Sequence, residues 1–230
     1  LRVLVLDIVD STYVLCCSIS LAVFVDDFTI EASGPLAIEN VAEATDHVIT
    51  FFEKGLGMEI SSTKSVVVGS KPSTAAKVHC RMYSKKAKPV KQAKLLGTPS
   101  GGGRRRSVKV LKDRVLKFKA KIPRIHALRR SGVRTAMIAR TAGTPAVTYG
   151  VETCGMSDTH LEDARSVVAR AAAPEGGGKD PNLVLVFLDG RSGTLDPAFD
   201  AHMLPITRWA QAWFEGWQSR AHLSAAFENA

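Results

Sequence analysis

The chain has 230 residues, 45% hydrophobic and 23% charged, an ordinary globular composition with room for one or two cores. Its formal charge is +9, but 19 of the 31 lysines and arginines fall between Lys77 and Arg130 against one acid, Asp113, leaving 12 basic and 21 acidic residues elsewhere. Such a local excess implies a polyanionic partner, nucleic acid first, and the longest apolar stretch, Val14 to Val25, is too short for a membrane helix of about 20 residues, so no membrane partner is expected.

Leu1 to Leu6, a run of leucine and valine broken by Arg2, reads as a buried strand ending in Asp7. Without an initiator Met at Leu1, the chain reads as a piece of a longer protein. Asp7 and Asp10 stand where a secretory leader carries positive charge. Cys16, Cys17, Cys80 and Cys154 lack CxxC spacing, which indicates neither a zinc site nor a disulfide framework. Reduced thiols in an intracellular, soluble protein are expected. The six histidines show no ligand spacing.

Tyr13 to Val25 reads as one long strand, or two broken near Ser18 to Ser20, and climbs to the adjacent carboxylates Asp26 and Asp27. On the return leg Phe28, Ile30 and Ala32 alternate with Thr29, Glu31 and Ser33, giving a β-hairpin with acids at its tip. Asp-Asp is a poor two-residue turn. Two like charges there raise one pKa unless a cation neutralises the pair. Mg²⁺ (or Mn²⁺) suits that position, because such ions are held by one or two carboxylates together with substrate phosphates.

Gly34-Pro35 marks a helix start, Ile38, Val41, Thr45, Val48 and Phe52 recur at helical spacing, and Gly55 and Gly57 stop the pattern. A polar Ser61 to Lys64 turn precedes an expected strand from Ser65 to Gly69. Lys71 to Lys94 reads as an irregular basic connection and Ser100 to Gly103 as a hinge.

Val108, Leu111, Val115, Phe118, Ile122 and Ile125 form a narrow apolar stripe at alternating spacings of three and four. Arg104, Arg105, Arg106, Lys109, Lys112, Arg114, Lys117, Lys119 and Lys121 occupy the other faces, and Pro123 should end or kink the first helix. One side packs and the other meets phosphate. A short helix is expected within Gly132 to Ala142, and another from a Ser157-Asp158 cap to Ala173, with Leu161, Ala164, Val168 and Ala171 or Ala172 inward. Leu183 to Leu188 reads as strand or buried helix. Ile206, Trp209, Trp213 and Trp217 form an aromatic helical face suited to core or docking.

Phe24-Val25-Asp26-Asp27 resembles the aromatic-x-Asp-Asp box of reverse transcriptases, whose acids sit on a palm hairpin. Leu56 to Ile60 with Lys64 is similar to the motif whose lysine that family places near the incoming triphosphate. Lys94-Leu95-Leu96-Gly97 resembles its primer-gripping hairpin, and Tyr149-Gly150-Val151-Glu152 a box found after the palm in LINE-type polymerases, although Cys154 and Gly155 stand where an aromatic is expected.

The resemblance is to non-LTR retrotransposon reverse transcriptases and implies an α+β fold, a partial polymerase palm of antiparallel hairpin plus helix followed by a mostly helical thumb. The implied parts are the C-terminal part of a palm (1–70), a basic connection with the primer-grip-like hairpin (71–103), a basic helical thumb (104–173) and a C-terminal extension with the aromatic helix (174–230). The implied activity is RNA-directed DNA polymerisation with Mg²⁺ (or Mn²⁺), an RNA template, a DNA primer and deoxynucleoside triphosphates. Asp26 and Asp27 would bind metal, Lys64 assist catalysis, and Leu96 and Gly97 grip the primer. The family's first metal-binding aspartate is expected upstream, with the N-terminal palm and fingers, because no glycine-bearing motif separates Asp7 from the box. The site is therefore expected to be incomplete. The other reading is a non-catalytic basic nucleic-acid-binding module.

Overall fold

The computed structural model describes residues 2–25, 27–95, 97–101, 108–173, 178–190, 193–217, 219–221 and 223–224. Asp26, Leu96, Arg104, Arg105 and Arg106 lie outside the described residues. The fold is α+β, with helices dominating and short two-stranded sheets. The chain divides into two compact units: the described residues of Leu1–Ala93 with Ser100–Arg105, and those of Lys94–Pro99 with Arg106–Ala230.

The first unit opens on helix α1 (Arg2–Leu15) where a strand was expected. Beneath the apolar run lies a helical period: Ile8, Thr12 and Cys16, four residues apart, are all buried, while Asp7 and Asp10 are exposed. Strands β1 (Ile19–Phe24) and β2 (Asp27–Ala32) then pair antiparallel, in register from Ile19↔Ala32 to Phe24↔Asp27. The hydroxyl oxygen of Tyr13 accepts the Leu21 N–H at 3.1 Å, tying α1 to the hairpin.

Helix α2 (Ala37–Thr50) follows and winds on as a π-turn through Phe51–Gly55. Val48 is buried on its inward face, and the helix packs against α1, β2 and α3. The expected strand after Lys64 shortens to β3 (Val66–Val67), which pairs in parallel with β4 (Lys88–Pro89).

Between them lies helix α3 (Pro72–Arg81), in place of the expected irregular connection. Pro72 stands in its first turn, where proline's fixed φ favours a helix and its missing N–H costs nothing. Ala75, Val78 and Met82 form its buried face and join Ala42, Ile49, Val67 and Ala87 in one core. Strands β5 (Gln92–Leu95) and β6 (Thr98–Gly101) form the expected second hairpin, and β6 takes in Ser100 and Gly101 from the proposed hinge.

The second unit is helical. Helices α4 (Lys109–Lys119) and α5 (Ile122–Arg130) carry the apolar stripe, with Leu111, Val115, Phe118, Ile122 and Ile125 buried. The break falls at Ala120-Lys121, and Pro123 sits in the first turn of α5. Helix α6 (Thr135–Ile138) winds through a π-turn at Ala139–Gly143 into α7 (Thr144–Thr148), then α8 (Val151–Cys154).

Helix α9 (Asp158–Ala172) is the axle of this unit, with Leu161, Ala164, Val168, Ala171 and Ala172 buried. Helices α10 (Pro181–Asp189) and α11 (Pro197–Phe214) pack on α9, and Leu185 and Leu195 enter the same core as Val115 and Phe118. The boundary expected at residue 174 therefore does not separate a domain: the C-terminal helices complete the core of the second unit. Helix α10 buries one face only, leaving Leu183, Val186 and Phe187 exposed. A bidentate pair holds the start of α11, with Arg165 donating through Nε to Asp196 Oδ1 and through Nη2 to Asp196 Oδ2, each at 2.9 Å.

Candidate functional site

At the first hairpin, Asp27 is the opening residue of β2 and pairs across to Phe24, so it stands on the strand and not in the turn. Val25 takes φ = 57°. A β-branched side chain in the left-handed region is a true outlier, at a cost of about 1–3 kcal/mol that the surrounding structure must offset. Asp27 is exposed at the strand end.

Just behind it Phe28 packs edge-on against Phe52, ring centroids 5.0 Å apart, and Phe52 belongs to the π-turn after α2. The neighbouring Glu53 accepts the Ile60 N–H at 3.3 Å and pairs with Lys86, so the same turn anchors the segment that leads to Lys64. Lys64 itself is exposed in a turn closed by Ser65 N–H to Ser61 O at 3.0 Å. One turn of helix thus supports both Asp27 and the approach to Lys64.

Among the described residues, no three His, Cys, Asp or Glu side chains cluster closely enough to hold a metal ion. Asp7, on an exposed stretch of α1, belongs to no such group.

In the second unit Lys109, Lys112, Lys117, Lys119 and Lys121 are all exposed, opposite the buried stripe of α4 and α5. Burial of Leu111, Val115 and Phe118 leaves those ammonium groups in water, free to neutralise phosphate. Arg114 has a different part. Its guanidinium donates to the carbonyls of Gly97 and Tyr149 and stacks 4.8 Å from the centroid of the Tyr149 ring. It holds the tip of the second hairpin to α4 and to the turn before α8.

Gly97 is required in this arrangement. Its φ is +89°, and an added Cβ would lie 2.9 Å from Tyr149 Cε1. Gly150, at φ +83°, would bring a Cβ within 3.0 Å of Thr98 on the same hairpin. The Lys94 to Thr98 motif and the Tyr149-Gly150 motif, read separately along the chain, therefore meet in one cluster organised by Arg114. Nothing in the sequence marks that meeting, since 35 residues separate Arg114 from Tyr149.

No family model, curated protein or solved structure matches the chain.

Proposed function

We propose that this chain is the C-terminal palm and thumb of a retrotransposon-type reverse transcriptase, in which it supplies the Asp-Asp hairpin and the basic nucleic-acid-binding arm. The reading is carried by the first hairpin, where Asp27 of the aromatic-x-Asp-Asp box opens β2 and pairs with Phe24 of the same box. Further support comes from the order of elements: this hairpin, helix α2, the Lys64 turn and the short strand β3 follow one another as the resemblance implies. On this reading the exposed lysines of α4 run along a template-primer duplex, and the Arg114 cluster holds the grip-like hairpin against the thumb.

The carboxylate pair is one part of a metal site. Two-metal catalysis clamps the attacking and leaving oxygens of an in-line displacement, and a further carboxylate is needed to complete such a centre. Salt-dependent binding of an RNA–DNA template-primer by the 230-residue chain tests the reading. Binding should weaken as salt rises and weaken further when Lys109, Lys112 and Lys117 become Glu. Primer extension with Mg²⁺ should be absent or nearly so, and robust synthesis would show the site complete. Mn²⁺ binding followed by electron paramagnetic resonance should fall in Asp26→Ala and Asp27→Ala. If it is unchanged while duplex binding persists, the chain is a non-catalytic basic module.

A further inference from the structure

We infer that the cleft between α5 and the last turns of α9 binds phosphate, an inference that rests on the nucleic-acid reading for the source of that phosphate. The cleft, about 360 Å³ in volume, is lined by Lys119, Ile122, Pro123, His126, Arg130 and Arg170. Three of these residues are lysine or arginine, and among the described residues the lining holds no acid. Lys119 ends α4, His126 and Arg130 lie one turn apart on α5, and Arg170 stands in the last turn of α9. Chain distance hides the cluster, because Arg170 lies outside the basic stretch of the sequence.

The walls are fixed in place. His126 donates through Nε2 to the carbonyl of Arg170 at 2.9 Å, joining α5 to α9. Arg129, on the neighbouring side of α5, donates to the carbonyl of Ala172 at 2.8 Å and to Thr135 Oγ1 at 3.0 Å. Beneath them Ile122 is buried in the core that α9 shares. Among the described residues neither Lys119 nor the Arg170 guanidinium has a carboxylate partner.

Cations in the last turns of helices complement the helix dipole, which accounts for where Lys119, Arg130 and Arg170 stand on their own helices. It does not account for their convergence. Lys119 and Arg170, brought to one cleft over an apolar floor, repel one another, and a multivalent anion reverses the sign of that interaction. Phosphate fits: arginine meets its oxygens bidentately, and lysine adds a point charge. A phosphodiester of a nucleic-acid backbone and a free phosphate or pyrophosphate share this chemistry.

Two measurements on the 230-residue chain separate those sources. In the first, inorganic phosphate and then pyrophosphate are titrated while the His126 ring and the backbone amides of 119–130 and 166–172 are followed by NMR. These resonances should move, the response should vanish in Arg170→Glu and Lys119→Glu, and it should survive in Lys71→Glu, at an exposed lysine of the other unit. In the second, affinity for a short RNA–DNA duplex is measured against NaCl concentration. Arg170→Glu should weaken binding about tenfold and reduce the slope of log affinity against log salt by about one. Arg170→Lys, which keeps the charge, should recover most of both.

Unchanged phosphate response and unchanged salt slope in both charge-reversed variants overturn the cleft assignment while leaving duplex binding by the chain intact. A phosphate response that the variants abolish, in a chain that does not bind duplex, upholds the cleft as a site for free phosphate and removes the nucleic-acid reading. No response to phosphate or to duplex in the unsubstituted chain overturns the inference.

Discussion

The Arg114 guanidinium lies 4.8 Å from the centroid of the Tyr149 ring while donating to the carbonyls of Tyr149 and Gly97. Two backbone acceptors and a ring face are met by one planar group. Lysine carries the same charge but cannot reproduce that fork. Arg114→Lys should therefore destabilise the chain by about 2 kcal/mol in urea unfolding. The salt dependence of duplex binding should stay as it is. Lys112→Glu, on the exposed face, should do the reverse, leaving stability within about 0.5 kcal/mol and flattening the salt dependence.

Gly143 faces the Phe118 ring closely enough that an added Cβ would lie 2.5 Å from Cζ. Phe118 is itself buried among Val115, Ile122 and Val147, so the ring has little room to retreat. Gly143→Ala should cost about 1–3 kcal/mol through overpacking, read as a lower urea midpoint at constant m value. An Ala at Gly132, where nothing lies within 4 Å, is a poor comparison because its φ is +91°. Gly55, with an ordinary φ and only Phe51 Cδ2 at 4.0 Å, is the better control and should tolerate Ala.

A hydrogen bond from Lys86 holds the Glu53 carboxyl below its ordinary range, outweighing the opposing effect of burial, and the Ile60 N–H adds a lesser effect in the same downward direction. A carboxyl whose folded-state pKa is depressed contributes stability above its unfolded value, near 4.3. That contribution disappears as pH falls through the lower folded-state value. Glu53→Gln should flatten stability against pH in that acid window. Unfolding midpoints measured from neutral pH down through the carboxylate range check it, and an unaltered pH profile would refute the role given to the Lys86 pair.

Burial raises the Cys16 thiol above its usual value, and the nearby negative charge of Glu43 adds to the effect. Thiolate is the reactive form. Cys17, its exposed neighbour, and Cys80, also exposed, should both be alkylated by iodoacetamide at mildly alkaline pH well before Cys16. Peptide mass mapping over time gives the order. Equal rates at Cys16 and Cys17 would mean that α1 does not stay packed on α2.

Much of the fold can be read directly from spacing. The stripe from Val108 to Ile125, the break before Pro123, the face of α2 and the inward residues of α9 all follow from apolar side chains recurring every three or four positions. The first hairpin follows from alternation along its return leg, and the second was expected from the resemblance of Lys94 to Gly97. Helix α1 is not legible in the sequence because contiguous leucine and valine satisfy strand and helix patterns alike, and its buried face at Ile8 and Thr12 includes a polar residue. Helix α3 was hidden by its basic composition and by two prolines, one of which in fact starts the helix.

The sequence by itself determined which residues are apolar at helical spacing, where lysine and arginine are concentrated, and that two acids adjoin beside an alternating strand. Only the tertiary structure decided that Arg114 turns inward to Gly97 and Tyr149, that the last two helices belong to the core of the second unit, and that Arg170 joins Lys119, His126 and Arg130 around one cleft. Periodicity is a property of neighbours along the chain, and it reports which face of an element is buried. Which charged groups from distant elements come to share a space depends on how those buried faces pack together, and local spacing carries no record of that.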